Sequence, residues 1–317
     1  MRINIDSIDP YWSVAQSSAF VANEPQQWRV HSRFKHAINL MDETGQLYTF
    51  LAKGYPNGPA TLLLDIPNFE GLPVSLNAGE IVTYHAGYFH AGGITFVMSD
   101  NTRLWHSAVP VFPQMDDLFD NARTLLGATL EAHEQRKSAL ILSNTDNKVS
   151  EPDPILSHIA GKLAQGLTEI TQAIATHDAQ GISAAAQSLI GLGLGLTPSG
   201  DDQLVGLLLM LHCQRKRYQQ AIALISEVIA TSTEKTHEIS WWMLHHASRG
   251  HFNEWMIAYP QALILSSDAE SVGKAQAAQR EALTNILSIG SQSGSDMVRG
   301  IASGLVLMSA FEADAVS

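Results

Sequence analysis

The string GLGLGLTPSGDD at residues 191–202 decides how this chain is read. Glycine at alternate positions makes a poor helix and a poor strand, but it lets the backbone turn sharply and approach a neighbour closely. Two familiar phosphate loops can be tested against it. A Walker-type loop ends in Gly-Lys-Ser/Thr, and no lysine is present. A dinucleotide fingerprint follows a strand, whereas residues 182–190 carry a helical pattern. The stretch therefore reads as a tight turn that opens a helix, and neither nucleotide fold applies.

Working outward, residues 201–215, 219–231, 238–248, 275–287 and 295–311 read as further helices, as do 117–138 upstream. Residues 143–153 (SNTDNKVSEPD) are polar and predict a loop. Ser150-x-x-Asp153 followed by Pro154 predicts a helix start, and apolar residues then recur at three- and four-residue steps to about His177. Before residue 115 the texture differs. Short apolar runs at 37–39 and 47–51 flank Glu43-Thr44-Gly45, and others fall at 61–66, 81–84, 94–98 and 104–109. Turn signals every ~8–12 residues point to a small barrel or sandwich. The expected class is α+β: an N-terminal β barrel-like domain over 1–113, followed by a mainly helical domain over 114–317. It is not a βαβ alternation.

The composition fits this division. At 317 residues the chain exceeds the usual size of one core. Apolar types are 45% and charged types 16%, below the usual ~25% charged, so much surface is buried. Lys+Arg 19 against Asp+Glu 31 leaves −12. That balance argues against nucleic-acid and anionic-membrane partners, both of which select basic faces. A single cysteine, Cys213, allows no internal disulfide. The opening MRINIDSIDP has no apolar leader run, and the longest strongly apolar run, 205–211, is far short of the ~20 residues that span a bilayer. The cytoplasm is the expected location.

The end of the glycine-rich string recurs. Thr197 to Gly206 aligns with Ser291 to Gly300 in the frame Ser-Gly-x-Asp-x-x-x-Gly, and both copies open apolar helices. One account is structural. Ser199 and Ser293 cap the helices, Asp202 and Asp296 reach back as in capping boxes, and Gly206, Gly300 and Gly304 let helices approach. The other account is functional: two helix starts converge on one small polar ligand. Amides at Ser199–Gly200–Asp201 or Ser293–Gly294–Ser295 would bind oxyanions. Asp201 and Asp202 would repel a bare anion. They imply either a bridging divalent cation such as Mg2+, which they would ligate, or a ligand with an amide or ammonium end. Arg299, a cation on an apolar helix, is either an ion-pair partner of Asp202 or Asp296, or a clamp on carboxylate or phosphate.

The motif GLGxGLTPSGDD, with Leu204 and Gly206, resembles the signature of the bacterial AllH-type family of oxamate carbamoyltransferase subunits. Ser32 to Leu40, Thr236 to Gly250 and Ser291 to Leu305 resemble other parts of that family. His237 and Gln292 depart from its pattern, which favours small hydroxyl residues there. The resemblance implies carbamoyl transfer in allantoin nitrogen breakdown, in which oxalurate and phosphate give oxamate and carbamoyl phosphate. It also implies hetero-oligomeric partner subunits. On this reading Asp201 and Asp202 are catalytic. Gly193, Gly195, Thr197, Ser199, Gly200, Thr236, Ser240, Ser293, Gly294, Asp296 and Arg299 bind the ligand. No activated Ser or Cys nucleophile is evident, so direct transfer is expected. Two other readings stand beside it: a non-catalytic regulatory or scaffolding subunit that binds a small carboxylate, and a carboxylase-like enzyme.

Other polar clusters point less sharply. His85-x₄-His90, with His31, His36 and His106, is read as ordinary turn and surface histidines ahead of a metal site. His245, His246 and His251 are weighed as a general base, and Trp241-Trp242 as packing.

Overall fold

The computed structural model describes residues 1–10, 12, 26–72, 76–85, 87–112, 118–144, 153–265 and 272–310. The chain divides into two compact units, Met1–Ala108 and Val109–Ser317. The α+β expectation holds: a mixed β-barrel is followed by a helical domain.

Among the described residues the first unit has nine strands: β1 Arg2–Ile8, β2 Gln26–Arg33, β3 Ala37–Met41, β4 Leu47–Ala52, β5 Thr61–Leu64, β6 Ile81–His85, β7 Tyr88–Ala91, β8 Ile94–Val97 and β9 Arg103–Leu104. Eight close in the order β5-β4-β3-β2-β6-β7-β8-β1, and β1 pairs back onto β5 with Ile5 opposite Leu64. The ring is mixed, because β1–β8 and β4–β5 run parallel. Closure leaves no open edge in the ring. Alternate residues point inward, as in β7, where Phe89 and Ala91 are buried and Tyr88 and His90 exposed. Trp12, Trp28, Tyr48, Phe50, Phe89 and Phe96 fill the interior, with Trp12 4.7 Å from Tyr48 and Phe50 4.9 Å from Phe96 between ring centroids. The barrel is a packed core.

Several strands escape the periodicity reading. β1, β2 and β7 are not anticipated, since β1 and β2 carry no continuous apolar run and β7 is only four residues long. The strand expected over 104–109 amounts to the two residues of β9.

Nine helices are described in the second unit: α1 Leu118–Asn144, α2 Pro154–Ala175, α3 Ala179–Leu189, α4 Ser199–Cys213, α5 Gln219–Ala230, α6 Glu238–Ser248, α7 Glu254–Ile264, α8 Val272–Leu287 and α9 Ser293–Ala310. The loop expected over 143–153 begins later, since residues 143 and 144 still belong to α1, and 145–152 lie outside the described residues. Ser150 is among those. Asp153 caps α2, accepting the Ile155 N–H at 2.8 Å, with Pro154 in the first turn. Helix α7 is unanticipated because Pro260 lies inside it; Asn253 starts it by accepting the Met256 N–H at 3.0 Å.

Helix α4 is the centre of the domain. Every residue from Gly200 to Cys213 is buried, as for a helix packed on all sides. Its main partner is α9, and α6 and α9 flank it while α1 covers α9. The α4–α9 contact is reciprocal. A Cβ at Gly206 would lie 2.0 Å from the Met297 carbonyl oxygen and 2.9 Å from the Ile301 amide. A Cβ at Gly300 would lie 2.0 Å from the Gln203 oxygen and 2.8 Å from the Leu207 amide. Residues 203, 206 and 207 correspond to 297, 300 and 301 in the repeated frame, so equivalent positions meet across the crossing. Backbone touches backbone here, and a methyl group has nowhere to go. Gly206→Ala and Gly300→Ala are each expected to cost about 2–3 kcal/mol by forcing the helices apart. Urea unfolding of the single variants measures this, and a loss below about 0.5 kcal/mol in either would refute the close crossing.

Candidate functional site

The glycine-rich turn runs from the end of α3 to the start of α4. Gly191 has φ +78°, and its α-carbon faces the Lys235 carbonyl so closely that a Cβ would sit 2.0 Å from that oxygen. The turn is thereby pressed against the segment that leads into α6. The Asp201 side chain locks the arrangement. One carboxylate oxygen accepts the Gly191 N–H at 2.8 Å. The other accepts the Ser240 hydroxyl at 2.6 Å and the Thr236 hydroxyl. Asp201 is fully buried, and burial raises its pKa while these three donors oppose the rise. Thr236 and Ser240 therefore face Asp201. They and Asp201 form one anchor that joins the turn, α4 and α6.

The second turn lies beside the first. The Thr197 and Ser293 hydroxyls meet at 2.9 Å, which brings the two motif helices together at their starts. The capping account fails for α4: Pro198 occupies the N-cap position and no side chain caps the helix. Asp202 does not reach back to the backbone. Both its carboxylate oxygens are buried without a hydrogen-bond partner, and the residue is 1% exposed. Loss of water pushes Asp202 up from 3.8 to about 8. The Ser293 hydroxyl pulls the other way, the charges of Asp296 and Asp201 add to the rise, and Thr197 opposes it. The two hydroxyls are close enough to act on the carboxyl group, and the bond between them uses only one of their two protons. At neutral pH Asp202 is mainly a neutral acid.

Its counterpart Asp296 is held differently. One oxygen accepts Arg299 Nη1 at 2.8 Å and Gln203 Nε2 at 3.4 Å, and Arg299 also pairs with Glu134 of α1. Arg299 thus joins two carboxylates, one on α9 and one on α1. Lys137 of α1 donates to the Ser291 carbonyl and to Gln292 Oε1, the latter at 2.9 Å.

Two of the helix-start amides are already engaged on α4. The Gly200 N–H donates to the Leu192 carbonyl at 2.8 Å and the Asp201 N–H to the Pro198 carbonyl at 3.0 Å. On α9 the Gly294 N–H donates to Ile289 at 3.0 Å. These amides support the turns. Gly193 is packed against the Ser199 amide, whereas Gly195 is exposed at the tip with open space around its α-carbon. Thr197, Ser199 and Ser293 are half-buried, and Thr197 and Ser293 lie beside the Asp202 carboxyl group. The structure thus brings Thr197, Asp202, Ser293, Asp296 and Arg299 together. It gathers Asp201, Thr236 and Ser240 beside them.

Gln203 is the residue that the motif reading missed. It is 2% exposed, and its Oε1 is buried without a partner. The signal was present: it is the lone amide between the Asp pair and the apolar run 204–211. Glu134 and Lys137 carried no signal, since they reach the site from α1.

The other clusters disperse. Among the described residues no group of three or more His, Cys, Asp or Glu could hold a metal ion. His90 meets Thr95 at 3.3 Å, and the His36 ring lies tilted against Tyr55 at 5.0 Å. His246 is buried and lowered to about 3, and His245 stacks on Trp241 at 4.8 Å. Cys213 is buried, which raises its thiol and leaves it inert.

The chain thus carries two Ser-Gly-x-Asp turns at the starts of paired central helices, in a helical domain that follows a mixed β-barrel in the sequence, and its sequence matches the models of a family of carbamoyltransferase subunits. It belongs to the AllH oxamate carbamoyltransferase subunit family: residues 7–103 match the AllH family N-terminal domain, and residues 189–305 match Oxamate carbamoyltransferase subunit AllH. No solved structure matches the chain. Among the described residues no helix is long and apolar enough to cross a membrane.

The two adjacent aspartates should respond oppositely to the same change. Asp201→Asn replaces one of the two acceptor oxygens that hold three donors and should destabilise by about 2–3 kcal/mol. Asp202 keeps its proton in the folded chain to about pH 8 but loses it near 4 when unfolded. Its contribution to stability is therefore full below pH 4 and is lost as pH rises to 8. Asp202→Asn should be more stable than the native chain at pH 9, with the advantage shrinking towards pH 5. Thermal melts of both variants at the two pH values check the signs.

Proposed function

We propose that the helical domain binds the small amide-bearing carboxylate of a carbamoyl transfer, oxalurate plus phosphate giving oxamate plus carbamoyl phosphate, and acts with partner subunits. The observation that carries this reading is the meeting of Thr197 and Ser293 above a buried, partnerless Asp202. Membership of the family supports the reaction class.

The chemistry follows from what the residues can supply. A phosphate oxygen attacks the terminal carbonyl carbon of oxalurate and forms a C–O bond. The C–N bond to the departing oxamate nitrogen then breaks, and the proton lost by phosphate ends on that nitrogen. Negative charge passes through the carbonyl oxygen in between. A carboxylic acid kept neutral by burial gives that oxygen a hydrogen bond as the charge grows. Asp202 takes this role, which the engaged amides of α4 do not fill. Asp201, Thr236 and Ser240 position the turn, and Thr197 and Ser293 offer hydroxyls at its surface. Arg299, held between Asp296 and Glu134, lies at the anionic end. Transfer is direct, because Cys213 is buried and inert. No step needs Mg2+, since the Asp201 oxygens already accept three donors. A cytoplasmic place in allantoin nitrogen breakdown accompanies this reading.

The full chain, assayed with its partner subunits for phosphate-dependent oxamate release from oxalurate, should be required for turnover. Undiminished turnover by the partners without this chain would overturn the reading. Turnover by this chain alone would make it the catalytic subunit.

A further inference from the structure

We propose that Asp202 and Gln203 form a buried subsite for a terminal carbamoyl group, a carbonyl that carries an unsubstituted amide nitrogen. The ligand class rests on the reading above; the residues rest on geometry. Asp202 is 1% exposed and Gln203 2%. Asp202 Oδ1, Asp202 Oδ2 and Gln203 Oε1 are all buried with no hydrogen-bond partner. Buried polar atoms in folded proteins are nearly always satisfied, so three orphan oxygens on adjacent residues in one helix turn call for a partner.

The surrounding side chains are mostly committed elsewhere. Asp296 is taken by Arg299 and by the nitrogen of Gln203 itself. Asp201 is taken by Gly191, Thr236 and Ser240. Thr197 and Ser293 pair with each other, which leaves one hydroxyl proton between them to turn towards Asp202 and none for Gln203.

A carbamoyl group brings what is missing. It carries two N–H donors and one carbonyl acceptor in a single plane. In its acid form Asp202 donates O–H to the carbonyl oxygen and accepts one N–H, which closes a ring of two hydrogen bonds. Gln203 Oε1 accepts the second N–H. All three orphan oxygens are then engaged. An ammonium ion offers no acceptor for the Asp202 O–H, and a carboxylate offers no donor to Gln203. The set selects a neutral primary amide, and it places the Asp202 proton on the oxygen where charge develops.

Oxamate and pyruvate test this directly, because they differ only by an amino group in place of a methyl group. Calorimetric titration of the full chain should show oxamate binding tighter by about tenfold or more. Asp202→Asn keeps one donor and one acceptor and should preserve that preference. Asp202→Leu and Gln203→Met should each reduce it, the former to near parity. Equal binding of the two ligands, or a preference unchanged in Gln203→Met and Asp202→Leu, would overturn the subsite while leaving the carbamoyl reading standing. So would loss of the preference in Asp202→Asn. Failure of oxamate to bind at all would overturn both. Gln203→Met keeps the test open should Asp202→Leu fail to fold.

Discussion

The close backbone approach of α4 and α9 at Gly206 and Gly300 governs the helical domain. It allows two helices to cross with main chain against main chain, closer than any side chain would permit. Because the crossing is fixed there, the first turns of both helices are fixed too. Thr197 and Ser293 then fall within hydrogen-bond reach, and Asp202 and Asp296 come near enough to feel each other's charge. Everything assigned to the site depends on that approach.

Adjacent residues of the same type do opposite work in this arrangement. Asp201 is surrounded by donors and acts as a structural tie between three segments. Asp202, one residue on and a helical step of roughly 100° away, is surrounded by oxygen and hydrocarbon. Its neighbours include two more acids, so the cheapest state for it is uncharged. A pair of carboxylates thus becomes one anchor and one proton holder, separated by environment alone.

The sequence showed the order of the two domains, the helical turn that begins at residue 197 and its echo 94 positions later. These were readable because glycine and proline punctuate and because α4 carries an apolar run after its acidic first turn. It did not show how the acids divide their tasks. Asp201 and Asp202 are chemically identical in the string, and their fates depend on Thr236, Ser240 and Gly191, which arrive from elsewhere. The capping-box frame left two accounts open at Asp202 for the same reason: spacing alone cannot tell a carboxylate that reaches back from one buried under a second helix. Short strands such as β7 were hidden, because four residues give a period-two pattern little room. Pro260 concealed α7, since an Asn cap and tertiary packing outweighed its local preference.

The echo is faithful in backbone but broken in charge. Where the second copy carries Arg299 beside Asp296, the first carries Val205 beside Asp202. One half of a symmetric scaffold has its acid neutralised by a cation, and the other leaves its acid open. Such a scaffold ties the histories of its halves. Neither glycine can drift alone without disturbing the opposite turn, while the polar residues are free to diverge. Selection on this protein should therefore act on the two segments as a unit for shape, and on each separately for chemistry.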